Sequence, residues 1–152
     1  MALVVQKFGG TSVGTTDRIM AVARRLIESK ERGDRVVAVV SAMGDFTDEL
    51  LAKALAISPE PPEREMDMLL ATGEQVTIAL LAMAIHALGH EAISFTGAQA
   101  GIVSDSTHTK ARIQEIHAER VMSALQHDLI VIIAGFQALT PEGEITTLGR
   151  GG

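Results

Sequence analysis

The chain has 152 residues, enough to bury one ordinary core and too few for several. It is 47% hydrophobic with a mean hydropathy of +0.25, and it lacks Trp and Tyr, so its interior must be built from Val, Ile, Leu, Ala and Met. A formal charge of −6 argues against a nucleic-acid surface, and the absence of cysteine excludes a disulfide scaffold, a thiolate metal site and a Cys nucleophile.

The N-terminus enters Ala2-Leu3-Val4-Val5 directly, without the basic flank and long apolar run of a signal peptide. Residues 78–85 form the longest apolar stretch, too short to span a bilayer. The expectation is a soluble, cytoplasmic protein with neither nucleic acid nor membrane as partner.

Residues 3–6 read as a buried strand, followed by a Gly-rich turn and a helix over 16–30. In that helix Ile19, Val22, Ala23, Leu26 and Ile27 form the i, i+3, i+4, i+7, i+8 stripe of one buried face. Gly33 suits its C-terminal stop. A second strand, residues 35–40, is apolar on both faces, as parallel strands tend to be. A short helix over 48–57 ends at Ser58-Pro59-Glu60-Pro61-Pro62.

Residues 63–88 are helical in pattern, with a possible break at Thr72-Gly73. Residues 91–95 and 129–134 read as the third and fourth strands, with a helix over 118–127 between them. Residues 101–109 read as a polar surface loop, and Ile145-Thr146-Thr147 as a last short strand. This alternation implies a three-layer α/β sandwich: a mainly parallel sheet covered by helices on both faces.

Turns after parallel strands lie along one sheet edge, where ligands bind. Four such segments stand out: Lys7-Phe8-Gly9-Gly10-Thr11-Ser12, Ser41-Ala42-Met43-Gly44, Gly135-Phe136-Gln137 and Thr147-Leu148-Gly149-Arg150-Gly151-Gly152. In the first, glycines let backbone N–H groups approach an anion, the following helix adds its positive end, and Lys7 adds a mobile charge. The order is neither that of a P-loop nor G-x-G-x-x-G. The competing reading is a tight turn with an exposed lysine.

Ser41 and Thr47 can hydrogen-bond a carboxylate or phosphate, or simply cap the turn. Glu74 projects in line with Leu70, Ile78 and Leu81. A carboxylate within an apolar stripe is costly unless a cation pairs with it, either a protein Lys or Arg or the ammonium of a substrate. Arg150 offers a planar fork for a carboxylate, or is a surface arginine. Phe136 either lines a pocket or packs in the core. Asp45, Asp48 and Glu49 read as a solvated patch. The five histidines form no metal-ligand spacing with nearby acids, so no metal ligand is assigned.

Taken together, these segments resemble the aspartokinases of the amino acid kinase superfamily. The resemblance is carried by Lys7-Phe8-Gly9-Gly10-Thr11-Ser12-Val13, Ser41 through Leu50, Arg64 through Glu74, Ser94 through Gly101, Ala134-Gly135-Phe136-Gln137 and Thr146 through Gly152, in the family's order and over essentially the whole chain. It implies the carbamate kinase-like amino acid kinase fold and ATP-dependent phosphorylation of the β-carboxylate of L-aspartate, the entry step to lysine, threonine and methionine. It further implies that Lys7 contacts the transferring phosphate within a phosphate loop formed by Lys7, Phe8, Gly9, Gly10, Thr11 and Ser12, with Gly9 and Gly10 cradling it through their amides. Ser41 and Thr47 hold the aspartate side, Glu74 takes the ammonium, and Arg150 clamps the α-carboxylate beside the Phe136 backbone. ATP is expected with Mg²⁺ held mainly by phosphates. The full enzyme is expected as a homo-oligomer or in association with regulatory subunits.

In aspartokinases the glycine loop continues into Ser-Asp, then a nucleotide half and ACT regulatory domains. Residues 1–152 therefore correspond to the N-terminal, aspartate-side portion of the catalytic domain, expected to lack turnover alone. Two alternatives remain: a kinase of N-acetylglutamate or glutamate, and a non-catalytic module that binds small acids.

Overall fold

A computed structural model describes residues 1–149. Four strands, β1 (Leu3–Phe8), β2 (Arg35–Val40), β3 (Ala92–Phe95) and β6 (Ile130–Ala134), form one all-parallel sheet in the order β1-β2-β6-β3. In-register pairs set two rows of side chains on one face. Val5, Val37, Val131 and Ile93 lie abreast, as do Lys7, Val39, Ile133 and Phe95 one pleat further along. The alternate residues point to the other face, where Phe8, Val36, Ala38, Val40, Ile130 and Ile132 are buried.

That second face is covered by α1 (Thr16–Glu31) and α3 (Glu63–Ala87). Ile19, Val22, Leu26, Ile78, Leu81 and Ile85 complete the main core. The stripe expected on α1 is the one buried, and Thr15 caps the helix by accepting from the Arg18 N–H. The opposite face is covered over β3 and β6 by α4 (Glu119–Gln126), through Val121, Ala124 and Leu125. Over β1 that face is open: Leu3 is 45% and Val5 62% exposed, so the expected two-sided cover is partial.

The sequence reading also expected a possible break in α3 at Thr72-Gly73, and the structure corrects this. The helix runs unbroken from Glu63 to Ala87. Gly73 serves close packing instead, since a Cβ there would stand 2.9 Å from Ala42 Cβ and 3.5 Å from the Phe46 ring, where α2 (Phe46–Ile57) and its preceding turn press on α3. By length and composition α3 is long and apolar enough to cross a membrane, yet it packs against α1, α2, β3, β6 and the strand Ile145–Thr147.

A second sheet was not anticipated. Here β5 (Ile113–Ile116), β4 (Ile102–Ser104), β7 (Gln137–Leu139) and β8 (Ile145–Thr147) are joined in that order. The expected loop over 101–109 contains β4, and Ser104 is fully buried with its hydroxyl 2.6 Å from the Thr146 hydroxyl. The strand at 145–147 exists but pairs antiparallel with β7 rather than joining the parallel sheet. These strands are three or four residues long, too short to show a period in sequence.

Candidate functional site

Because the main sheet is wholly parallel, the turns after β1, β2, β3 and β6 emerge at one edge. The first two touch directly. Gly44 N–H donates to Gly10 O at 2.9 Å, and a Cβ on Gly10 would sit 3.0 Å from Ala42 O. A side chain on Gly10 would crowd this approach, so the Lys7 loop and the Ser41 turn form one unit. After β1 comes a 3-10 turn, Gly10–Val13, and α1 begins at Thr16. The helix thus starts where the sequence places it, with the 3-10 turn between the glycines and its N-terminus. Arg18 reaches back from α1 and donates to Thr11 O at 2.6 Å.

A cleft of about 870 Å³ opens at this edge. Lys7, Gly10, Ser41, Gly44, Thr47, Asp48, Glu74, Gly135, Phe136 and Gln137 all line it, and its far end is walled by apolar residues including Val5, Val39, Ile116 and Met122. The structure therefore brings together Lys7, Gly10, Ser41, Thr47, Glu74 and Phe136 from the sequence-derived set. Phe8 points away, into the core beneath α1. Gly9, Thr11 and Ser12 belong to the adjoining turn but do not line the cleft. Arg150 lies outside the described residues. Asp48, read from sequence as solvated, lines the cleft beside Thr47.

Glu74 is 3% exposed, and among the described residues its side-chain partner is neutral: Gln137 Nε2 donates to Oε1 at 2.9 Å. Burial pushes its carboxyl up to about 7, partly opposed by the hydrogen bond from Gln137. Of the two partners left open by the sequence, no protein Lys or Arg forms an ion pair with it among the described residues. Gln137 enters this position through Phe136, whose φ of 68° turns the chain from β6 into β7. That conformation costs a non-glycine residue on the order of 1 kcal/mol. Leu148 N–H holds the turn by donating to Phe136 O at 3.0 Å, which draws the end of β8 to the same edge.

Sequence reasoning missed Asp67. Fully buried on α3, it accepts from Thr147 Oγ1 at 2.6 Å and from Thr109 N–H at 3.1 Å, with His108 Nδ1 at 2.7 Å. Its position two helical turns before Glu74, on the same side of α3, was the available signal. His108, to which the sequence assigned no role, is part of this knot. Among the described residues no three His, Cys, Asp or Glu side chains converge as a metal site would require.

Fold and cleft define a class: an α/β domain whose parallel sheet ends in a glycine loop, a lysine, two hydroxyls and a buried acid around one opening. The chain belongs to the amino acid kinase family, whose profile matches residues 2–152. It is 59% identical over its full length to an aspartokinase of Bacillus sp. (strain MGA3) and 58% identical to one of Geobacillus stearothermophilus. In each case the chain spans 37% of the relative's length. Among solved structures, the aspartate kinase of Synechocystis superposes with a TM-score of 0.82 at 50% identity, over 99% of this chain and 24% of that one. The E. coli aspartokinase III in complex with aspartate and ADP, at 22% identity and a TM-score of 0.85, shares the fold over 99% of this chain and 44% of that one.

Proposed function

We propose that this chain is the aspartate-side portion of an aspartate kinase, which transfers the γ-phosphoryl group of ATP to the β-carboxylate of L-aspartate. The observation that carries the reading is Glu74, an acid buried in the cleft whose side-chain partner among the described residues is an amide. Such a group is favourable where a ligand brings a cation to it. The ammonium of an amino acid is that cation, and an acylated amine is not, which favours aspartate over N-acetylglutamate.

The remaining cleft residues suit the chemistry. The nucleophile is a carboxylate with an ordinary pKa of about 4, ionised at neutral pH, so no general base is needed. Ser41 and Thr47 offer hydroxyls to the acid. Lys7, at the end of β1, faces the same opening and offsets charge on the transferring phosphoryl group, with the Gly10 region allowing close backbone approach. In-line placement of the acceptor carboxylate supplies the rest. Mg²⁺ would enter with the nucleotide on its phosphate oxygens and supply further charge neutralisation. The two acids of the cleft, Asp48 and Glu74, are too few for an all-protein cage, which fits that arrangement.

The relatives extend well beyond the matched length, so the adenine and ribose contacts, ACT regulation, oligomeric assembly and cytoplasmic pathway role belong to the longer protein in this proposal. Calorimetric titration with L-aspartate, with N-acetyl-L-aspartate as control and Glu74→Ala as variant, tests the acid site. Saturable binding that is lost on acetylation and in the variant is expected. Equal binding of both ligands would sink the ammonium assignment.

A further inference from the structure

The side-chain amide of Gln137 is 4% exposed and has all its neighbours on backbone or acid. Its Oε1 accepts from Gly97 N–H at 3.1 Å, and its Nε2 donates to Ala71 O at 3.0 Å and to Glu74 Oε1 at 2.9 Å. The amide cannot be reversed. A backbone N–H on one side demands an acceptor and a backbone carbonyl on the other demands a donor, so the second N–H must face Glu74. Three elements meet at this one group: the turn after β3, the middle of α3 and the start of β7.

The backbone is shaped to permit the contact. Gly97 lies so close that a Cβ there would stand 2.3 Å from Gln137 O and 3.0 Å from Gln137 Cγ. On the other side, the left-handed Phe136 aims the next residue inward. Neither feature follows from strand or helix formation.

We infer that Gln137 is a positioning residue for the Glu74 carboxylate, occupying Oε1 so that Oε2 remains for the cationic amine of an amino-acid ligand in the cleft. This role deepens the proposed function and rests on its assignment of Glu74 as the ammonium ligand. Gln137 does not touch the reacting atoms; it acts through Glu74. A donated hydrogen bond favours the ionised acid and opposes the penalty of burial, so Gln137 also keeps Glu74 available as an anion near neutral pH. An apolar residue of the same length would leave a protonated acid, which offers an ammonium nothing.

The test is a carboxyl-carbon NMR titration of the 152-residue chain, with the Glu74 signal assigned through Glu74→Gln. In wild type the midpoint is expected near 7. Gln137→Met, which keeps the length and removes the donor, should move it upward by about one pH unit, the tenfold effect of one hydrogen bond to a buried charge. An unchanged midpoint in a folded variant overturns the inference. Should Gln137→Met fail to fold, Gln137→Glu keeps an acceptor for Gly97 N–H and replaces the donor by a like charge. An upward shift is again expected, and its absence again overturns the inference.

L-Aspartate binding provides the second readout. Gln137→Met should bind about fivefold more weakly at pH 7 and recover most of that loss at pH 8.5, where Glu74 is ionised again. A merely structural role would give a loss that does not recover with pH, and that result would also overturn the inference. If wild type shows no aspartate binding while the Glu74 midpoint still moves in the variant, the proposed ligand fails and the positioning role stands.

Discussion

Asp67 and Thr147, 80 positions apart in sequence, meet in a buried 2.6 Å hydrogen bond that ties the long helix α3 to the last described strand, β8. His108 and the Thr109 backbone close on the same carboxylate, and Thr109 adopts a φ of 68° to do so. One acid thus holds two segments, β8 and the 108–109 loop between β4 and β5, against the helix that carries Glu74.

Replacing Asp67 by Ala should therefore destabilise the chain by about 3 kcal/mol, because it strands a buried hydroxyl and a backbone N–H at once. Asp67→Asn keeps one acceptor and should cost less. Urea unfolding measures both. A loss below about 1 kcal/mol for Asp67→Ala would show that the knot is not what holds β8 to α3.

Glu74 should make the ligand-free chain less stable as pH rises. Its folded pKa of about 7 lies above the ordinary 4.5, so the folded state binds the proton more tightly. The associated stability is present below pH 4.5 and is lost as pH rises toward and through 7. The difference corresponds to about 3 kcal/mol. Glu74→Gln should accordingly be more stable than wild type at pH 8 and nearly equal to it at pH 4.5, while losing affinity for L-aspartate. Unfolding curves at the two pH values decide this, and equal stability at pH 8 would mean the acid is not penalised by burial.

Gly73→Ala should be destabilising despite the roughly 1 kcal/mol that alanine adds in a helix interior. The new methyl would stand 2.9 Å from Ala42 Cβ, which is fixed to the backbone of the Ser41 turn. Overpacking of this kind costs about 1–3 kcal/mol. Adding Ala42→Gly should recover part of the loss. The melting temperatures of the two single variants and the double variant test the coupling; a Gly73→Ala chain that melts above wild type would contradict the close-packing account.

Lys7 is exposed at the mouth of the cleft, so Lys7→Met should leave the melting temperature nearly unchanged, as exposed substitutions do. Its proposed role is charge on a phosphate. Inorganic pyrophosphate should raise the melting temperature of wild type by mass action and fail to raise that of the variant. Equal stabilisation of the two proteins would remove Lys7 from the phosphate site.

Much of the parallel sheet was legible in the sequence because it rests on local signals. Val36, Val37, Val39 and Val40 form a β-branched run, Ile19 through Ile27 keep a helical period, and glycines punctuate both. The polar residues at strand ends then follow from topology, since parallel strands must deliver their C-terminal turns to one edge. Lys7, Ser41, Thr47 and Phe136 were located that way. Glu74 was visible as an acid in an apolar stripe, an anomaly that a single helix displays.

What the sequence could not show depends on pairs far apart in the chain. The short strands β4, β5 and β7 have too few residues for a period, and exist because neighbours in space satisfy their backbone groups. Asp67 looked like any helical acid until Thr147 and Thr109 were placed around it. Gly73 looked like a helix breaker until Ala42 was found against it. Local sequence thus determined the strands and helices of the parallel layer, their order and the residues at the sheet edge. Tertiary structure alone decided which partner satisfies each buried polar group, because a hydrogen bond across 63 positions, such as that from Gln137 to Glu74, leaves no trace in the spacing of either residue.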